Sequence, residues 1–164
     1  MEVSADSIHF KRTSPKDFEE FCLLLSDPVV TEMNGRTKEI DVLFERYVKN
    51  IYSFSVFYEN SFVGLCSLFP TTLSSAFKAI NSLELVYSVL PVYWNQSIAT
   101  HSVKKICDIG FETIGLDCIV AGCFVDNIPS SRVLQKNGFK EMFSRTEIFS
   151  GKKRTESIYV KIGL

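Results

Sequence analysis

From Cys118 to Val125 the chain is almost continuously apolar, the pattern of a strand buried on both faces of a sheet. A strand of that kind needs packing elements on either side, and the segments around it supply them. Ile8 to Thr13 reads as a short strand. Ser14-Pro15 is a helix start, with Ser as cap and Pro at the first helical position. Phe18, Phe21, Cys22 and Leu25 follow at helical spacing, and Ser26-Asp27-Pro28 ends that helix. A second helix is expected from about Lys38 to Asn50, its apolar stripe running through Ile40, Leu43, Phe44, Tyr47, Val48 and Ile51.

The period then changes to two. Ser53 to Tyr58 and Phe62 to Phe69 flank Asn60-Ser61, which reads as a hairpin turn. After a small-residue loop from Thr71 to Ser82, Leu83 to Leu90 alternates, with Leu83, Leu85, Tyr87 and Val89 on one face and Glu84, Val86, Ser88 and Leu90 on the other. A long amphipathic helix is predicted from Ile98 to about Ile114. Asn127 caps a short helix that begins at Ile128, with Pro129 in its first turn and Gly138 suited to a left-handed position just past its end. Two strands, about Lys140 to Phe149 and Thr155 to Ile162, turn at Ser150-Gly151. The predicted order is β-α-α-β-β-β-α-β-α-β-β: an α+β, three-layer arrangement of about seven strands in a mixed, largely antiparallel sheet with about four helices on its faces.

At 164 residues the chain is expected to form one domain over its whole length, 1–164. Composition is that of a globular protein, 46% hydrophobic and 23% charged. No apolar run approaches the roughly 18 residues of a membrane span. The segment MEVSADSIHF has no basic region followed by an apolar stretch, unlike a secretory signal. Cys22, Cys66, Cys107, Cys118 and Cys123 make an odd set without a C-x-x-C pair, which reads as buried reduced thiols in a cytoplasmic protein. With only His9 and His101 available and neither spaced with a cysteine, no metal is expected. The formal charge is -1. The one basic triplet, Lys152-Lys153-Arg154, falls where a hairpin turn is expected and reads as surface solvation, so nucleic acid is not an expected partner.

Two stretches carry specific motifs. SLELVYSVLPVYWNQSIATHSV, from Ser82 to Val103, resembles the strand–loop–helix that holds acyl-CoA in the GNAT superfamily of N-acyltransferases. FVDNIPSSRVLQKNGFKE resembles that family's signature N-x-x-S-x-R-V-L-x-K-x-G-F, matched at Asn127, Ser130, Arg132, Val133, Leu134, Lys136, Gly138 and Phe139. This form of the signature is typical of the RimJ/RimL branch, the ribosomal-protein N-terminal acetyltransferases and their relatives. The resemblance implies the GNAT fold, acetyl-CoA as co-substrate, and an amine acceptor that is either a protein N-terminus or a small molecule.

The chemistry explains those elements. A thioester is already activated, so a neutral amine attacks it directly if the protein holds the acyl group, removes a proton from the ammonium, polarises the carbonyl and helps the thiolate leave. A turn feeding a helix N-terminus binds the pyrophosphate, which points to Trp94, Asn95, Gln96, Ser97, Ile98, Ala99 and Thr100. The family pattern there is Q/R-x-x-G-x-G/A. Ser97 stands where glycine is usual, and Asn95 where the branch often has another. Since glycine takes positive φ most readily, weakened CoA binding is expected. By the resemblance, Glu84 is the candidate general base, its pKa raised by burial beside apolar groups. Asn127 would bond the pantetheine arm, Ser130 would donate to the leaving thiolate, and backbone N–H groups near Val89 would polarise the carbonyl. Arg132, with Lys104 and Lys105, is a candidate to meet the 3′-phosphate, although most charges on a helix's outer face are merely solvated. The tyrosine that many relatives use as acid is replaced by Leu134. That absence and the lost glycines leave a rival: a non-catalytic module of the same fold that binds CoA or a protein partner.

Overall fold

A computed structural model describes residues 3–35 and 39–164. The expected start of the second helix at Lys38 lies outside the described residues. Seven strands among these residues form one sheet in the order β1-β2-β3-β4-β5-β7-β6. They are β1 (Ile8–Arg12), β2 (Ser53–Tyr58), β3 (Ser61–Phe69), β4 (Ser82–Val89), β5 (Cys118–Phe124), β6 (Lys140–Phe149) and β7 (Lys152–Ile162). Every neighbouring pair is antiparallel except β4 and β5.

Five α-helices among the described residues cover the two faces: α1 (Phe18–Ser26), α2 (Pro28–Asn34), α3 (Ile40–Lys49), α4 (Ile98–Asp108) and α5 (Ile128–Lys136). The sequence pattern predicts four, and the extra one is α2. Asp27-Pro28 does end α1, but it starts another helix at once. Asp27 Oδ1 accepts from the N–H groups of Val29 and Val30 at 2.9 and 3.1 Å, and Pro28 takes the first helical position, where its missing N–H costs nothing.

Three further expectations shift. The β2–β3 turn residues are Glu59 and Asn60, both at positive φ, and Ser61 already belongs to β3, because a two-residue turn of this hand needs two left-handed residues in a row. The helix from Ile98 is regular to Asp108, widens to a π-helical turn over Ile109–Ile114, and ends at Gly115 with φ 77°. The small-residue loop contains a 3-10 turn, Ser75–Ala79. Leu73 and Phe77 pin this loop onto Cys118, Val120, Ile158 and Val160.

The odd residues of β4 face α4 and α5. Leu85 and Val89 pack there with Val103, Ile106, Ile119, Ala121 and Leu134. The even residues face α1 and α3, where Val86 joins Phe21, Leu24, Phe44, Tyr47, Leu65 and Phe69. β5 is buried on both faces, as its composition requires. All five cysteines are free thiols, and four of them are buried while Cys22 is partly exposed. Among the described residues no helix is long and apolar enough to cross a membrane.

Arg154 departs from the expectation of a solvated turn. Its side chain is only 12% exposed. The guanidinium lies 3.6 Å from the centroid of the Phe124 ring, donates to Glu32 O at 2.6 Å and meets Asp126 Oδ1 at 3.1 Å. A charge this enclosed is held by its partners rather than by water. It ties the C-terminal end of α2 to β7.

Candidate active site

β4 and β5 pair at three positions only, Ser82–Cys118, Leu83–Ile119 and Glu84–Val120. Beyond them β4 continues to Val89 and β5 to Phe124, so the two strands part and open a slot through the sheet. A cavity of about 440 Å³ occupies its wide end. Tyr87, Ser88 and Val89 line it from β4, Val30, Met33 and Asn34 from α2, and Ser130, Arg132, Val133 and Lys136 from α5. The slot therefore joins the α5 side of the sheet to the α2 side.

The floor of the wide end is the turn into α4. Trp94, Asn95, Ser97, Ile98, Ala99 and Thr100 all line the cavity. Asn95 and Ser97 have φ of 61° and 64°. The backbone thus takes the left-handed conformation that glycine favours, with two residues that are not glycine. Asn reaches that region at small cost and Ser at more. Gln96 points elsewhere: its Nε2 donates to Val92 O at 3.3 Å, and it is absent from the cavity wall. Trp94 Nε1 donates to Val89 O at 2.7 Å, which fixes the indole against the end of β4. Leu90 donates its own N–H to Val63 O on β3. Since N–H groups alternate along a strand, that of Val89 points the other way, toward the slot.

Asn127 is the cap of α5, its Oδ1 accepting from Ser130 N at 3.2 Å. The cap uses the oxygen and leaves Nδ2 without a protein partner among the described residues. Ser130 Oγ lies 2.7 Å from the Tyr87 hydroxyl, which also donates to Ser130 O at 3.1 Å. Burial pushes the Tyr87 phenol above its ordinary range, against the opposing effect of its bond to Ser130, so it stays protonated.

Of the cations considered, Arg132 borders the cavity and Lys136, one turn on, joins it. Lys104 is engaged by Asp108 at 2.7 Å, and Lys105 Nζ donates to Ile8 O at 3.0 Å. His101 Nε2 lies 3.0 Å from Val3 O, away from the cavity. Glu84 is not in the cavity wall either. It sits at the closed end of the slot on the α3 side, where its Oε2 accepts from Thr72 N at 2.9 Å and Thr72 Oγ1 at 3.3 Å. About 13 Å of strand separates it from Ser88.

The structure adds groups that the sequence argument left out. Tyr87 was placed on the inward face by alternation alone, which does not say that its hydroxyl meets a serine 43 positions later. Lys136 was legible within the signature. The α2 wall was hidden with α2 itself. Among the described residues, no group of three or more His, Cys, Asp and Glu side chains is placed to hold a metal ion.

A splayed parallel pair thus opens over a cavity floored by a helix N-terminus, and comparison with known proteins identifies the family. The model of the Acetyltransferase (GNAT) domain matches residues 8–140. The probable N-acetyltransferase YjcK of Bacillus subtilis (strain 168) is 30% identical over 135 residues, 80% of this chain and 72% of that protein. The uncharacterized N-acetyltransferase YoaA of the same organism is 36% identical over 58 residues, a match that spans 35% of this chain and only 33% of YoaA. In fold, the chain superposes on the crystal structure of spermidine N-acetyltransferase from Vibrio cholerae in complex with CoA and spermine. The TM-score is 0.80, with 96% of each chain covered at 17% identity. The chain belongs to the GNAT family of acetyl-CoA-dependent N-acetyltransferases. In this chain left-handed Asn95 and Ser97 turn the backbone into α4, and Arg132, Lys136 and Asn127 line the cavity.

Proposed function

We propose that this chain transfers the acetyl group of acetyl-CoA to a primary amine by direct attack in a ternary complex, in the manner of the RimJ/RimL branch. The observation that carries this is the β4–β5 slot, which supports donor entry from the α4–α5 side and acceptor entry from the α1–α3 side. The turn from Trp94 to Thr100 holds the pyrophosphate, Arg132 and Lys136 meet phosphate charge, and Asn127 Nδ2 bonds the pantetheine arm. The Val89 N–H polarises the thioester carbonyl, and the Ser130–Tyr87 hydroxyl pair supplies a proton to the departing thiolate. A carboxylate at the closed end of the slot receives the proton of the acceptor, and Glu84 is the one to which the family resemblance points.

The α5 signature supports a protein N-terminal α-amine as acceptor. The likeness in fold to an enzyme solved with spermine supports a small polyamine as the second reading. Calorimetry with acetyl-CoA tests the donor site, followed by turnover on an Ala-initiated peptide and on spermidine. Micromolar binding with turnover is expected. No binding at millimolar acetyl-CoA would sink the transferase reading, and binding without turnover on any amine would favour a non-catalytic module.

A further inference from the structure

The motifs leave one enclosed acid unassigned. Glu156 lies on β7 with a side chain 12% exposed, on the same face of the sheet as Glu84. Arg145 of β6, directly opposite, donates its Nε to Glu156 Oε2 at 3.0 Å and its NH1 to Leu73 O at 3.0 Å. That fixes the carboxylate from one side. The other oxygen reaches across to β5: a Cβ built on Gly122 would stand 2.2 Å from Glu156 Oε1, far inside contact distance. Gly122 therefore makes room for this carboxylate, and any other residue would expel it. Gly122 is two residues past Val120, the last position at which β5 pairs with β4. Among the described residues no hydrogen-bond donor meets Oε1. So the two walls of the slot's closed end each carry an acid on the acceptor side, Glu84 on β4 and Glu156 over β5. Neither borders the cavity itself; they differ in that Glu84 is bonded to the Thr72 loop, whereas Glu156 keeps Oε1 over Gly122 with no donor among the described residues.

We propose that Glu156 is the carboxylate that takes the proton directly from the acceptor ammonium, with Glu84 as a positioning residue that anchors the Thr72 loop. This deepens the transferase reading and rests on it. The step balances. One nitrogen proton passes to Glu156, and the freed lone pair forms the bond to the thioester carbonyl carbon. The C–S bond breaks with its electron pair going to sulfur, which takes a proton from the Ser130–Tyr87 pair. The second nitrogen proton, lost as the amide forms, makes good that one. Glu156 then passes its proton to solvent.

The surroundings raise the proton affinity of this carboxylate, as suits a base. Burial holds the Glu156 carboxyl above the ordinary glutamate range, Arg145 pulls it down, and the charges of Glu84 and Glu147 push it up. Arg154, the next residue on this face of β7, is already taken up by Asp126 and the Glu32 carbonyl.

The test compares Glu156→Gln, Glu84→Gln and Arg145→Met in the full chain. Acetyl-CoA binding is followed by calorimetry, and kcat/KM is followed from pH 6 to 9 with spermidine and an Ala-initiated peptide. Glu156→Gln is expected to bind acetyl-CoA like the wild type and to lose on the order of 100-fold in kcat/KM at pH 7, with the loss shrinking as pH rises and the amine deprotonates by itself. Arg145→Met should move the acid limb to higher pH, a shift that a purely structural ion pair would not give. A larger loss in Glu84→Gln than in Glu156→Gln, or an Glu156→Gln loss equal at every pH, overturns the assignment while leaving the transferase reading intact. Failure of the wild type to bind acetyl-CoA removes both. Should neither amine be turned over, carbon-13 NMR of the Glu156 carboxyl decides: titration above ordinary glutamate supports the role, and titration at or below it overturns the role.

Discussion

The hydroxyl of Tyr87 and Oγ of Ser130 stand 2.7 Å apart across the slot, one on β4 and the other in the first turn of α5. Either oxygen can be the donor, so the pair forms a two-step path by which a proton reaches the cavity. A lone serine is a poor acid, whereas a serine backed by a buried phenol has a source from which to refill. Ser130→Ala and Tyr87→Phe are each expected to lower kcat by about tenfold or more, with the KM for acetyl-CoA little changed, since general acids are worth roughly 100-fold at the least when fully engaged. The double variant should lose little beyond the worse single one, because the two hydroxyls act as a unit. Full additivity in a steady-state cycle would mean that the hydroxyls do not share a proton path.

A second prediction concerns the strain at Ser97, whose φ is 64°. If the turn already holds this conformation without ligand, the cost of a left-handed serine is charged to folding rather than to binding. Replacing Ser97 with Gly should then raise stability by up to about 1 kcal/mol, net of the looser unfolded chain. The Kd for acetyl-CoA should stay within roughly twofold of the wild type. Thermal denaturation and calorimetry read the two quantities separately. An affinity gain well beyond that would show that serine holds the free turn away from its binding form.

How much of this was legible in the sequence depends on the range of each interaction. Strand alternation, the Ser14-Pro15 start, the Asn127 cap and the turn at Ser150-Gly151, with φ of 49° and 77°, are local, and each is written in neighbouring residues. The motif residues Asn95, Ser97, Asn127, Ser130 and Arg132 also meet in one cavity. What escaped depends on contacts distant in sequence. Arg154 reads as one of three surface cations until Glu32, 122 positions away, comes under it. Glu156 carries no local signal, and only the fold shows that Gly122 makes room for its carboxylate. A missing side chain that another residue fills has no signature in either segment alone. Asp27-Pro28 ends α1 as its sequence predicts, but the same dipeptide also begins α2, and only packing decides between a loop and a second helix.

The Arg154 clamp gives the third prediction. Arg154→Met keeps much of the stem but removes the bonds to Glu32 O and Asp126 and the contact with Phe124. Bonds from a charged, mostly buried donor are worth roughly 1–3 kcal/mol when broken from one side, so a stability loss of that order is expected in urea unfolding. Since the clamp holds α2, which walls the cavity and by the proposed donor and acceptor entry lies on the acceptor side, the KM for the amine should rise while the Kd for acetyl-CoA stays put. Equal weakening of both ligands would argue that α2 does not belong to the acceptor side.

Finally, Glu156 should leave a mark on stability that needs no substrate. Its carboxyl is held above the ordinary range, chiefly by burial, so the folded chain binds that proton more tightly than the unfolded chain does. A group shifted in this direction gives its full contribution below the unfolded pKa, about 4.3 for glutamate, and loses it as pH climbs through the raised folded value. Glutamine mimics the protonated form at every pH. The melting temperature of Glu156→Gln relative to the wild type should therefore improve as pH climbs from below the unfolded value through the raised folded one, and level off above it. Arg145 favours the charged form and limits the size of the effect without reversing it, since burial outweighs it. A relative melting temperature that falls over the same range would mean that the Arg145 pairing dominates, that Glu156 is an ordinary ion-pair partner, and that a base for the acceptor must be sought at Glu84.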